Sequence, residues 1–95
     1  MAEISGLQSW KPADHVVYSD LGTSIALLDT RKNTYFTLDG IGPFLWSRII
    51  NEANYSDLCT AVVAEYSVDH ETASGDIADF VRQLLRAALI HVNND

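Results

Sequence analysis

The periodicity of this chain changes once, at Asp39, and that single change limits the folds open to it. Before it lie three short apolar runs, His15-Val16-Val17-Tyr18, Ser24-Ile25-Ala26-Leu27-Leu28 and Thr34-Tyr35-Phe36-Thr37-Leu38. Runs of this length, rich in β-branched and aromatic residues and bounded by turn formers, read as strands. Asp20-Leu21-Gly22-Thr23 and Thr30-Arg31-Lys32-Asn33 separate them, and Asn33 tolerates the left-handed backbone that such a connector needs. Three strands with short connections predict an antiparallel meander. Residues 1–12 lack a sustained period and end in Trp10-Lys11-Pro12, which reads as an irregular N-terminal arm.

After Asp39 the apolar positions recur about every 3.6 residues, the spacing of a helix face. A first helix starts near residues 40–42, with Ile41, Leu45 and Ile49 on its stripe and Pro43 tolerable only in its first turn. It ends near Asn51. Ser56-Asp57 is a plausible cap and first turn for a second, short helix carrying Leu58, Val62, Val63 and Tyr66. Asp69, or alternatively Ser74, caps a third helix with Ala73, Ile77, Phe80, Val81, Leu84, Leu85 and Ala88 on its apolar stripe. Leu89-Ile90-His91-Val92 can add a short last strand or pack on the core, and residues 93–95 read as a tail. The fold class expected is α+β: a three-stranded antiparallel sheet followed by three helices, winged helix-turn-helix-like, in one domain over residues 13–92.

Charge narrows the function. Six Lys and Arg stand against thirteen Asp and Glu, a net charge of -7, which repels a phosphate backbone instead of releasing its counterions. A winged-helix nucleic-acid-binding regulator, the reading that helix order alone suggests, is disfavoured, and a peptide or a basic patch on a partner enzyme suits the surface better. A lone cysteine, Cys59, excludes an internal disulfide, and no stretch is long and apolar enough for a membrane span, so the cytoplasm is the expected compartment. His15, His70 and His91 fall on separate elements with no metal-ligand spacing, and Asp39-Gly40-Ile41-Gly42-Pro43 lacks the Lys and third Gly of a phosphate loop. Asp76 and Asp79 sit at helical spacing, where a solvated face is the usual explanation. No enzyme activity, cofactor or metal is expected.

The run Ala26-Leu27-Leu28-Asp29, then Tyr35-Phe36-Thr37-Leu38-Asp39, Gly42, Leu45-Trp46, Leu58, Tyr66, Asp76-Ile77, Phe80-Val81, Leu84 and Leu89-Ile90 resembles the PqqD-like family of peptide recognition elements. The likeness extends over residues 23–90, and the free-standing form is most similar to the leader-binding subunits of split lasso-peptide leader peptidases. Asp39 stands where the family usually has Asn, a change that keeps capping ability. The resemblance implies a module that binds the leader segment of a ribosomally made precursor by strand addition to the third strand. It would then deliver that precursor to a leader protease and a cyclase, or, as the alternative, to a radical enzyme as in quinone cofactor biosynthesis. The implied contacts are Thr34, Tyr35, Phe36, Thr37 and Leu38 for strand pairing, with Lys32 and Asn33 at its entrance. On the third helix they are Asp76, Phe80, Gln83, Leu84 and Ala87, unless the opposite flank, Ser74, Ala78, Arg82 and Leu85, faces the groove. An open sheet edge also invites a homodimer.

Overall fold

The computed structural model describes residues 4–93. Its elements are β1 Trp10–Pro12, β2 Val16–Asp20, β3 Ile25–Asp29, β4 Thr34–Leu38, α1 Gly42–Ile49, α2 Tyr55–Tyr66, α3 His70–Arg86 and β5 Ile90–Val92. Strands β2, β3 and β4 form the expected antiparallel meander in that order, and β1 pairs with β5 in a separate two-stranded ladder. Register places Val16, Tyr18 and Asp20 of β2 opposite Asp29, Leu27 and Ile25 of β3, which in turn face Thr34, Phe36 and Leu38 of β4. Because side chains alternate along a strand, these positions share the face turned to the helices, where Ile25, Leu27 and Asp29 are buried.

Local chemistry explains the turns. The Gly22 N–H donates to the Asp20 carboxylate at 2.8 Å, and Gly22 adopts φ +100°, a conformation that favours glycine. In the β3–β4 connector Asn33 is left-handed at φ 56°, as its residue type allows. The Asp29 Oδ1 accepts from the backbone N–H groups of Arg31 at 3.0 Å and Lys32 at 3.2 Å, and Thr30 bonds through its N–H and its hydroxyl to the His15 carbonyl. This connector is thereby fastened to the start of β2.

The helices differ from expectation mainly at their starts. Asp39 does not cap α1: its N-cap is Ile41, with no side-chain hydrogen bond, and Pro43 occupies the first turn. Gly40, at φ +59°, turns the chain between Asp39 and the helix, so the Asp39 side chain stands off the helix end while its carbonyl accepts from the Gly42 N–H. Helix α2 begins before Ser56. Asn54 is its N-cap, in a reciprocal box where Asp57 N–H donates to Asn54 Oδ1 at 2.8 Å and the Asn54 N–H reaches Asp57 Oδ2 at 3.4 Å. Asp69 caps α3 by accepting from Thr72 N–H, Ser74 lies inside the helix, and Ala88 sits beyond its end at φ 60°.

The first twelve residues are more ordered than their sequence suggests where they are described. Trp10 is wholly buried, and β1 pairs Trp10 with Val92 and Pro12 with Ile90. The carbonyls of Gly6 and Gln8 accept from Ser56 and Tyr55 N–H groups, so the segment is also tied to the start of α2. Local pattern could not disclose this, because the strand is three residues long and its partner lies at the far end of the chain. Asn93, read as part of the tail, donates its N–H to Ser9 at 2.9 Å; residues 1–3 of the arm and 94–95 of the tail lie outside the described residues. The core joins Trp10, Leu27, Leu45, Trp46, Ile49, Leu58, Ile77, Val81 and Leu89, with the Trp46 ring met edge-on by Tyr18 at 5.4 Å. Among the described residues, no helix is long and apolar enough to cross a membrane.

Candidate functional site

Strand β4 bonds to β3 along one border, and no described strand covers the other. Backbone N–H and C=O groups on an uncovered border are available for pairing with another chain. Exposure fits an edge. Tyr35 is 74% exposed, and Phe36 remains 38% exposed although it lies opposite the wholly buried Leu27. Tyr35 and Thr37 project to the outer face of the sheet; Thr34, Phe36 and Leu38 project to the inner one.

A groove of about 220 Å³ opens where β4 ends against α3. Thr37, Leu38 and Asp39 form one wall, Ile41 and Gly42 its end, and Phe80, Gln83 and Leu84 of α3 the other wall. Five residues named from sequence, Thr37, Leu38, Phe80, Gln83 and Leu84, therefore come together. Thr34, Tyr35 and Phe36 lie along the uncovered border, and Lys32 and Asn33 lie in the connector before it. Asp76 and Ala87 stand one helical turn before Phe80 and after Gln83, on the same flank but outside the groove lining. The opposite flank does not face β4. Ser74, Ala78 and Arg82 line a different cavity of about 360 Å³ with Ile4, Tyr55 and His70, and Leu85 packs on the core.

Sequence reasoning missed Asp39, Ile41 and Gly42 as groove residues. The signal for Gly42 is its lack of a side chain at a close crossing: a Cβ there would lie 2.9 Å from Leu38 Cβ and 3.5 Å from Phe80 Cε1. Glycine at this position lets α1 start directly against the end of β4.

Among the described residues, no group of three His, Cys, Asp or Glu is placed to hold a metal ion. Cys59 is buried, and burial pushes its thiol up despite the opposing influence of the nearby Tyr55 hydroxyl, so it stays protonated, the opposite of what a nucleophile requires. Tyr55 donates its hydroxyl proton to the Ser74 carbonyl at 2.8 Å, joining α2 to α3.

Asp29, the one buried acid among the described residues, shapes the connector that leads into β4. Burial alone would raise its carboxyl, but the N–H groups of Lys32 and Arg31 and the charges of His15 and Lys32 outweigh that, leaving it below the ordinary aspartate value. The His15 Nε2 is 3.8 Å from its other oxygen. A depressed folded value means that ionised Asp29 stabilises the fold above the unfolded value, and this contribution is lost as pH falls through the folded one. Thermal stability should therefore drop as pH is lowered below about 4, the ordinary aspartate value. The drop should be shallower in Asp29→Asn, with Asp69, depressed by its bonds to Thr72, supplying what remains. A melting series at descending pH that is identical for both proteins would place the acid sensitivity elsewhere.

Known proteins share the sequence pattern and the fold. The family model described as coenzyme PQQ synthesis protein D (PqqD) matches residues 24–90. The solved structure of TbiB1 in complex with the TbiA(beta) leader peptide is similar, with 34% identity and a TM-score of 0.83, covering 90% of this chain and 99% of that one. Lasso peptide synthetase B1 complexed with the leader peptide has a TM-score of 0.82 at 20% identity, covering 87% of this chain and 98% of that one, a likeness of fold. No curated protein matches.

Proposed function

This chain belongs to the PqqD family, and from that premise we propose that it binds the leader segment of a ribosomally synthesised precursor peptide, adding the leader as a strand to β4. The observation that carries the reading is the uncovered border of β4 running into a groove walled by α3. Backbone pairing along such a border supplies affinity, and side chains at alternate positions entering a groove supply preference. The 34% identity to TbiB1 over 90% of this chain supports a leader as the ligand. Thr34, Tyr35, Phe36, Thr37 and Leu38 pair with the leader, Lys32 and Asn33 stand at the entrance, and Phe80, Gln83 and Leu84, with Asp76 and Ala87 beyond them, form the facing wall.

On this reading the domain performs no chemistry. It hands the leader to enzymes of a lasso-peptide pathway, a leader protease and a cyclase, in the cytoplasm. The family description favours a second reading, delivery to a radical enzyme of quinone cofactor biosynthesis. Self-pairing of β4 into a homodimer would compete with the leader for the same border.

Proline tests strand addition. Successive N–H groups along a strand point to opposite borders, so of Phe36→Pro and Thr37→Pro one removes an outward donor and the other breaks a bond to β3. Titration of fluorescently labelled TbiA(beta) leader peptide should saturate with the native chain. The proline variant that keeps native melting should bind about tenfold more weakly, the equivalent of one lost backbone bond and its neighbours. Unchanged affinity in that variant would rule out pairing at β4.

A further inference from the structure

The uncovered border of β4 carries no charge along Thr34–Leu38, yet it is charged at both ends and with opposite sign. Arg31 and Lys32, exposed in the connector, precede it; Asp39, exposed at the mouth of the groove, follows it. Among the described residues none of the three side chains forms a salt bridge, although the Lys32 charge favours ionised Asp29 from a distance. What Asp29 engages directly is the backbone N–H groups of Arg31 and Lys32. Asp39 neither caps α1 nor enters a salt bridge there. Asp39 shares the groove lining with Leu38, Ile41, Phe80 and Leu84, and no cation is among the lining residues.

An added strand has a problem that backbone bonding does not solve. A ladder of N–H and C=O groups accepts a peptide in either direction and in several registers, and a slip of one residue exchanges the two faces of the strand. One apolar groove at one end fixes a single side chain and still permits both directions. Two unlike charges at the two ends remove that symmetry.

We infer that the β4 border is a polarised dock that sets the direction and register of its ligand by charge. Its ligand is an extended peptide with an apolar anchor for the groove, a basic side chain near Asp39 and an acidic one near Arg31 and Lys32. At about 3.3 Å per residue the two charged ends stand on the order of 20 Å apart, so the ligand's charges are separated by about six residues. That distance exceeds the screening length of about 8 Å at physiological ionic strength, so the two ends act independently and their effects multiply. This inference rests on the reading that the chain binds a peptide at β4.

The probe is a synthetic positional-scanning library of extended peptides in which each position in turn is fixed as Lys, Glu or Leu. Affinities for the native chain should show one position where Lys strengthens binding and another, about six residues away, where Glu does, each by about two- to fivefold as for exposed ion pairs. Both gains should shrink in high salt. Asp39→Asn should abolish the Lys preference alone, Arg31→Gln with Lys32→Gln the Glu preference alone, and Asp39→Lys should turn the first preference to Glu. Asp39→Asn and Arg31→Gln should melt like the native chain, and Lys32→Gln, which removes a charge favouring ionised Asp29, slightly below it, so binding is compared at a temperature where all are folded. Binding without positional charge preference, or preferences that survive Asp39→Asn and the paired glutamines, would overturn the polarity and leave peptide binding standing. A library in which nothing binds would overturn peptide binding itself, and the polarity with it.

Discussion

Replacing Trp10 with alanine is expected to cost about 3–5 kcal/mol, the usual penalty for deleting a wholly buried tryptophan. Domains of this size are stable by about 5–15 kcal/mol, so the variant should unfold at a much lower urea concentration and melt well below the native chain. The loss is one of packing. The Trp10 indole N–H has no hydrogen-bond partner among the described residues, so Trp10→Phe, which keeps most of the bulk and deletes that buried donor, should cost much less. Two strands of three residues have little stability of their own, and the ladder of β1 with β5 depends on this anchor. If Trp10→Ala unfolds in urea like the native chain, the β1–β5 ladder lies outside the cooperative unit.

Gly42→Val should damage the groove more than the fold. The first added carbon would sit 2.9 Å from Leu38 Cβ, nearer than side chains approach, and the two methyls beyond it have Phe80 as a neighbour. Gly42 does not have a positive φ, so the constraint is space and not backbone dihedral. Overpacking of this kind costs about 1–3 kcal/mol as α1 and the end of β4 are pushed apart. Because Leu38 and Phe80 are opposite walls of the groove, leader affinity should fall by more than the stability loss alone implies, and Gly42→Ala should show the same effect at smaller size. Melting measured beside peptide titration checks this. Native affinity in Gly42→Val would separate the groove from the binding surface.

The meander and the three helices were readable because their signals are local. Period-two runs between turn formers, the left-handed tolerance of Asn33, and Asp69 ahead of a long amphipathic stripe each act within a few residues. The α2 start was equally local yet ambiguous. Asn54 and Asp57 stand at capping-box spacing, but Ser56 beside Asp57 offers a competing cap in one dimension, and only the reciprocal bonds choose between them.

What sequence could not decide was anything requiring two distant segments. A helical wheel gives α3 two flanks and no reason to prefer either; the crossing of α3 past the end of β4 puts Phe80, Gln83 and Leu84 on the groove and Ala78 and Arg82 away from it. Trp10–Pro12 is invisible as a strand for the same reason, and it lies outside residues 24–90, where the family pattern is carried. Asp39 was assigned to a helix end by analogy with Asn. The left-handed Gly40 inserts a bend between Asp39 and the helix, and Asp39 lines the groove instead.

The β1–β5 ladder has a practical result for anyone engineering this domain. By zipping the segment before the meander to the segment after α3, it sets residues 9–12 and 90–93 side by side, using strands other than those of the meander. Trimming the chain from either side into this ladder would strip a strand and its partner together. New ends are better opened in the exposed Gly22 turn, which leaves both strands of the ladder whole.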